Sequence, residues 1–273
     1  HVSKPEIDFP RGTDLHEDKI FIHGRDYLRN MINDGIYIQD ERPCFYLYTQ
    51  IMNGREQTGL ITCVSIDDYM NRKIKKHELT REDKEIERTR HTDIINANTG
   101  QVFLIYRDSA SKQILMGKAM AIEPEYDYVS GDGVRQIVRV IRDSALIDEF
   151  KAAFKDDVLY IADGHHRAAS AVRVGQERRK TNPGYTGMEE FNRFMAVIFP
   201  HQQLKIIAYN RIVRDLNGHT PEELIHRVSE NFTVVKTKDK ESDVVHDIFM
   251  YMGGAWYKLN PRFNPGEDPI NSL

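Results

Sequence analysis

The stretch Leu159-Tyr160-Ile161-Ala162-Asp163-Gly164-His165-His166-Arg167-Ala168-Ala169-Ser170 decides how this chain is read. Its apolar opening, Val158 to Ala162, has the length and composition of a buried strand. Asp163-Gly164 ends that strand, and the Ala-rich run after it has good helix propensity. Two imidazoles and a guanidinium therefore fall in the first turn of a helix, beside backbone N–H groups that lack an intrahelical acceptor. The helix dipole, those amides and Arg167 all favour negative charge at one point, so the corner suits a phosphate. A plainer reading stands beside it, with Asp163 as an N-cap, Gly164 as a turn residue and the histidines as surface neighbours. A run of polar and special residues directly after a buried strand favours the functional reading.

Composition narrows the class. The chain has 273 residues, 40% hydrophobic and 29% charged, as in ordinary globular proteins with a substantial core. A formal net charge of −4 gives no bulk attraction to nucleic acid or an anionic membrane. No apolar run is long enough to span a bilayer, and the opening residues, with Pro5 and Pro10, do not read as a signal peptide. The cytoplasm is the expected compartment.

Two cysteines, Cys44 and Cys63, exclude a disulfide framework and a Cys-rich zinc site. Cys44 to Met52 and Arg55 to Ile66 read as strands joined by the hairpin signal Asn53-Gly54. In that register Cys44 faces Cys63, as a pair of packed thiols or, on the less favoured reading, a redox couple.

Elsewhere, helices are expected at Glu17 to Asp34, from Asp67 to Ile74, from a cap at Thr80 toward Asn96, from Ser144 to Phe154, after Thr220-Pro221 and at Asp243 to Tyr251. Strands are expected at Val102 to Tyr106, Ile114 to Ile122, Tyr126 to Val129, Val134 to Ile141, Phe194 to Phe199, Leu204 to Val213, Phe232 to Lys236 and Ala255 to Leu259. Gly131-Asp132-Gly133 is a turn rather than a dinucleotide fingerprint. Arg173, Arg178, Arg179 and Lys180 read as a solvated helix face, and Thr181 to Gly187 as a surface loop. Hairpins with irregularly spaced helices indicate an α+β fold with mixed or antiparallel sheet. Two lobes are expected, 1–142 and 143–273, the second carrying the Asp163 to Arg167 element, or one two-lobed unit.

Asp163-Gly164-His165-His166-Arg167, followed by small residues, resembles the hallmark of domain of unknown function family 1015. That family is related to ADP- or ATP-dependent free serine kinases, which share a nucleotide-binding fold with the ParB partition proteins and sulfiredoxin. His77-Glu78-Leu79-Thr80, Glu87-Arg88-Thr89-Arg90-His91 and Asn96-Ala97-Asn98-Thr99-Gly100 resemble a second block of the family in the same order. His1 to Asp8 resembles a segment from inside the family domain, so the chain reads as trimmed at both ends, where it starts without Met and stops at Asn271-Ser272-Leu273. The resemblance implies a ParB/sulfiredoxin-like core, ATP or ADP with Mg²⁺, and phosphoryl transfer to free L-serine or a similar metabolite. It also implies that Arg90, His91, Asn98 and Thr99 line the wall opposite the Asp163 turn. Composition alone reads that polar helix as solvated.

The residues permit such chemistry. A kinase needs phosphate clamps, charge neutralisation and a carboxylate to take the hydroxyl proton. The chain lacks a P-loop and the protein-kinase signature set, which leaves the Asp163 to Arg167 turn as the cradle. Gly164 admits close approach, Arg167 is suited to bidentate phosphate contact, and His165 or His166 to a second phosphate or the reacting oxygen. Asp163 would orient an imidazole or a metal-bound water. Glu78 and Asp93 are candidate bases, each also readable as a helix-surface carboxylate. A protein metal centre is not expected, because adjacent helical residues point about 100° apart and no compact His/Cys/Glu spacing supplies further ligands. The competing functional class is a ParB-like nucleotide-binding switch or partner-binding module without metabolite kinase activity. The acidic balance and the lack of a helix-turn-helix signal argue against nucleic acid as a partner.

Overall fold

The computed structural model describes residues 1–205, 210–242, 244 and 247–263. The chain divides into two compact units, His1–Leu204 and Lys205–Leu273. In the first, β1 (Phe45–Met52) and β2 (Arg55–Ser65) form the expected hairpin, paired Met52 to Arg55 through Tyr46 to Ile61. Asn53 and Gly54 both take positive φ, 53° and 75°, as a tight hairpin turn requires. The remaining strands are β3 (Ile74–Lys75), β4 (Val102–Tyr106), β5 (Tyr126–Val129), β6 (Arg135–Ile141), β7 (Leu159–Asp163) and β8 (Arg193–Pro200). Among the described residues these strands make one mixed sheet in the order β3-β7-β4-β8-β2-β1-β6-β5. The pairs β3/β7 and β4/β8 are parallel and the others antiparallel.

This order corrects the expected division at residue 142. β7 lies between β3 and β4, and β8 between β4 and β2, so chain from both sides of 142 interleaves in one sheet. The core reflects it: Leu47, Leu60 and Leu104 pack with Ile141, Ile161 and Phe194. Phe150, 1% exposed, joins them from helix α5 (Ser144–Phe154). Each such side chain contributes about 1.5–3 kcal/mol of burial.

Several local expectations give way to specific causes. Ile114 to Ile122 is not a strand but part of helix α4 (Ala110–Met120), in which Ser109 caps the Lys112 N–H. Its buried positions, Lys112, Leu115, Met116 and Ala119, fall at the helical spacing i, i+3, i+4, i+7. The short helix α2 (Ile66–Met70) stops early, because Ile74 is needed in the pairing of β3 with β7. Helix α3 (Glu82–Ile95) is capped by the Arg81 backbone, while the Thr80 hydroxyl donates instead to Glu85 Oε2 at 2.7 Å. Asp143 rather than Ser144 caps α5. The β1/β2 register is the expected one; Cys44 falls one residue before β1, and Cys44, half-buried, and Cys63, exposed, are both free thiols.

Helix α1 (Asp18–Asn33) packs on α3, which packs on α6 (His165–Thr181). The arginines of α6 are clamps, not a solvated face. Arg178 reaches Asp93 Oδ1 at 2.8 Å and Asn96 Oδ1 at 2.6 Å, Arg179 reaches Asp67 Oδ1 at 2.7 Å, and Arg173 lies 3.5 Å from Glu85 Oε1. Ala168, Ala171 and Ser170 are buried between them, and their small size lets helix and sheet approach closely.

The second unit holds helix α7 (Pro221–Asn231), opened by a capping box between Thr220 and Glu223. An antiparallel sheet follows in the order β10-β11-β9, from β9 (Phe232–Thr237), β10 (Ile248–Met252) and β11 (Ala255–Pro261). The helix expected at Asp243 to Tyr251 is therefore strand from Ile248 onward, because Gly253-Gly254, with φ of 58° and 79°, turns it back onto β11. Asp243 itself lies outside the described residues. So do residues 206–209 of the strand expected at Leu204 to Val213, and the described positions Asn210 to Val213 carry no strand.

Candidate functional site: the corner between β7 and α6

Strand β7 ends at Asp163, and helix α6 starts at His165 with Gly164 as its N-cap. Gly164 has φ of +81°, a left-handed conformation that side chains resist. The bend is what requires glycine; a Cβ there would also lie 2.5 Å from Arg167 Nε and push the flexible guanidinium off the corner it now covers. Gly100 approaches the same guanidinium from the other side, its Cβ position 3.2 Å from Arg167 Nη1. No side chain caps the helix, and its first amides stay available to an anion.

This corner opens on a cavity of about 430 Å³, within the range of small-molecule sites. Gly164, His166 and Arg167 form one wall. Lys84, Arg88, His91 and Thr92 come from α3, Asn98, Thr99 and Gly100 from the loop before β4, and Ser3 and Lys4 from the N-terminal segment. Among the described residues no carboxylate lines it. Lys84 is paired with Glu87 at 3.1 Å and Arg167 with Asp163 at 3.6 Å, whereas Lys4 and Arg88 have no carboxylate within ion-pair distance among the described residues. His166 Nδ1 is buried with no hydrogen-bond partner. The cavity thus concentrates positive charge around a helix N-terminus, with His166 in its wall.

The expected site residues separate. Gly164, His166, Arg167, His91, Asn98 and Thr99 meet at the cavity, and Asp163 stands at its edge through Arg167. Arg90 does not join them: it donates to His16 O and pairs with Asp18, over the ring of Phe21, and so ties α3 to α1. Asp93 is turned toward Arg178. His165 points away from His166, as helical geometry demands, and lies 3.7 Å from Glu78 Oε2. Lys84, Arg88 and Lys4 were missed. The first two fall with His91 at helical spacing on one face of α3, a basic stripe legible in sequence.

Burial holds the pKa of His91 below its ordinary 6.5, although its bond with the Val2 carbonyl, Nε2 to O 3.0 Å, works against that. His91 is therefore neutral near pH 7, and cations at the cavity come from lysine and arginine. Burial, reinforced by His77, likewise lowers the pKa of His165.

Together these features define an α+β protein with a basic, glycine-lined cavity at a strand-to-helix corner. Among its described residues no helix is long and apolar enough to cross a membrane. The chain belongs to the family described as "Protein of unknown function (DUF1015)", which matches residues 1–273. No curated protein and no solved structure matches it.

Proposed function

We propose that this cavity binds the phosphates of ATP or ADP and that the protein transfers a phosphoryl group to the hydroxyl of a small metabolite such as free L-serine. The observation that carries the reading is the carboxylate-free basic lining around the uncapped N-terminus of α6. The imidazole of His166 in the cavity wall offers a further donor to the same guest. A nucleotide would supply the phosphoryl group, with Mg²⁺ screening its charge. Arg167 then clamps one phosphate in bidentate fashion, Arg88 and Lys4 neutralise the chain of phosphates, and His166 donates to a phosphate oxygen. Asp163 is the carboxylate at hand to hold the proton leaving the hydroxyl. The ParB/sulfiredoxin-like character of the core belongs to this same reading and rests on the sequence resemblance.

A second reading, a nucleotide-binding switch without a metabolite substrate, draws on the absence of carboxylates from the described lining. Incubating the chain with ATP or ADP, Mg²⁺ and serine separates the two. Phosphoserine detected by mass spectrometry supports the kinase. Nucleotide hydrolysis indifferent to serine supports the switch, and a melting temperature unmoved by either nucleotide removes both.

A further inference from the structure

His77 and Glu78 follow β3, and β3 runs parallel to β7 with Ile74 opposite Leu159 and Lys75 opposite Tyr160. Parallel strands end on the same side of a sheet, so the segment leaving β3 arrives beside the corner where β7 turns into α6. There His77, Glu78 and His165 offer two imidazoles and a carboxylate whose ligand atoms all lie within 4.8 Å of one another. The rings of His77 and His165 meet edge to face with centroids 4.6 Å apart.

His165 makes this cluster more than a chance surface group. It is only 5% exposed, yet its Nε2 has no hydrogen-bond partner among the described residues. Nδ1 is 3.7 Å from Glu78 Oε2, beyond hydrogen-bond reach, and Nε2 is buried with no partner. A buried imidazole in that state lacks something to bind. His77 and Glu78 are exposed and can shift toward it. Four ligands at zinc bond lengths stand about 3.4 Å apart, so a movement on the order of 1 Å by these two side chains closes the site.

We propose that His77, Glu78 and His165 bind a divalent transition-metal ion, zinc or a borderline relative such as cobalt or iron, leaving its remaining coordination positions open. Two nitrogen donors and one oxygen donor favour such an ion over Mg²⁺, which prefers all-oxygen sites. The open positions give the ion the form of a reactive rather than a structural centre. His165 and His166 then divide the first turn of α6, one toward a metal and the other toward the basic cavity. The site does not depend on the nucleotide reading.

The test strips the chain with a chelator, titrates it with Co²⁺ and with Zn²⁺, and reads retained metal by elemental analysis and the visible cobalt spectrum. One tightly held ion per chain, with the intense bands of low-coordinate cobalt, is expected. His77→Ala and Glu78→Gln change exposed side chains, so the metal-free variants keep the parent circular dichroism and melting temperature. Each is expected to weaken binding at least about tenfold, since even outer-shell partners contribute 10- to 100-fold. Failure to retain either ion, or undiminished retention by both variants, overturns the assignment. Nucleotide-induced stabilisation, measured on the same variants without metal, is expected to stay unchanged and reports separately on the basic cavity.

Discussion

On one side of the first turn of α6, His166 and Arg167 face an open cavity of about 430 Å³ lined with lysine and arginine. On the other, His165 is 5% exposed and meets His77 and Glu78. The two histidines are adjacent in sequence, and the roughly 100° rotation between helical neighbours sends them into opposite electrostatic surroundings. One side gathers cations with few counter-charges and suits an anion. The other sets two imidazoles against a carboxylate and suits a cation. On the two proposed readings one motif would serve two chemistries, because a strand-to-helix corner exposes more than one face of a helix start.

The largest effect that would sharpen this contrast is expected at Arg167. Arg167→Ala should weaken ADP or pyrophosphate binding by about 10- to 100-fold, the worth of a charge-assisted hydrogen bond, in calorimetric titration. His77→Ala should leave that affinity unchanged; equal losses in the two variants would erase the distinction between the faces. Gly164→Ala comes next. Its left-handed backbone predicts a loss of about 1–2 kcal/mol in urea unfolding, and the Cβ that displaces the Arg167 guanidinium predicts weakened nucleotide binding. Unchanged stability would mean that the corner is more adaptable than its geometry implies.

A subtler effect lies in pH. With the folded-state pKa of His91 held below 6.5, the unfolded chain takes up a proton first as pH falls. His91 therefore contributes stability above pH 6.5 that is lost as pH falls from there toward its folded value. Urea midpoints at about pH 7.5 and about pH 5.5 should differ in that direction, and less so in His91→Gln. The smallest effect is assigned to Asp93. Its ion pair with Arg178 is partly exposed, so Asp93→Asn should cost less than about 1 kcal/mol and leave nucleotide affinity alone. A strong loss of binding would return Asp93 to the site.

What sequence made legible was local. The β7–α6 corner declared itself because strand, turn and helix start are coded by neighbouring residues, as do Asn53-Gly54 and Thr220-Pro221. The segment at Ile114 reads as a strand on an apparent alternation, and only the Ser109 cap and the buried i, i+3, i+4 spacing reveal the helix. Lys84 and Arg88 were readable as one face of α3, yet a polar helix does not say whether its charges face solvent or a cavity. Nothing local brings His77 and Glu78 to His165. That meeting depends on the β3/β7 pairing, which no compact spacing in the sequence announces. The lobe boundary failed for the same reason, since strands from both halves share a sheet.

The central claim is that nucleotide phosphates sit at the N-terminus of α6, and a crystal structure with ADP bound tests it most directly. The account predicts phosphate oxygens against the amides that open α6 and the guanidinium of Arg167, with His166 and Arg88 in contact. Nucleotide bound elsewhere, or a cavity that stays empty at saturating ADP, would contradict it.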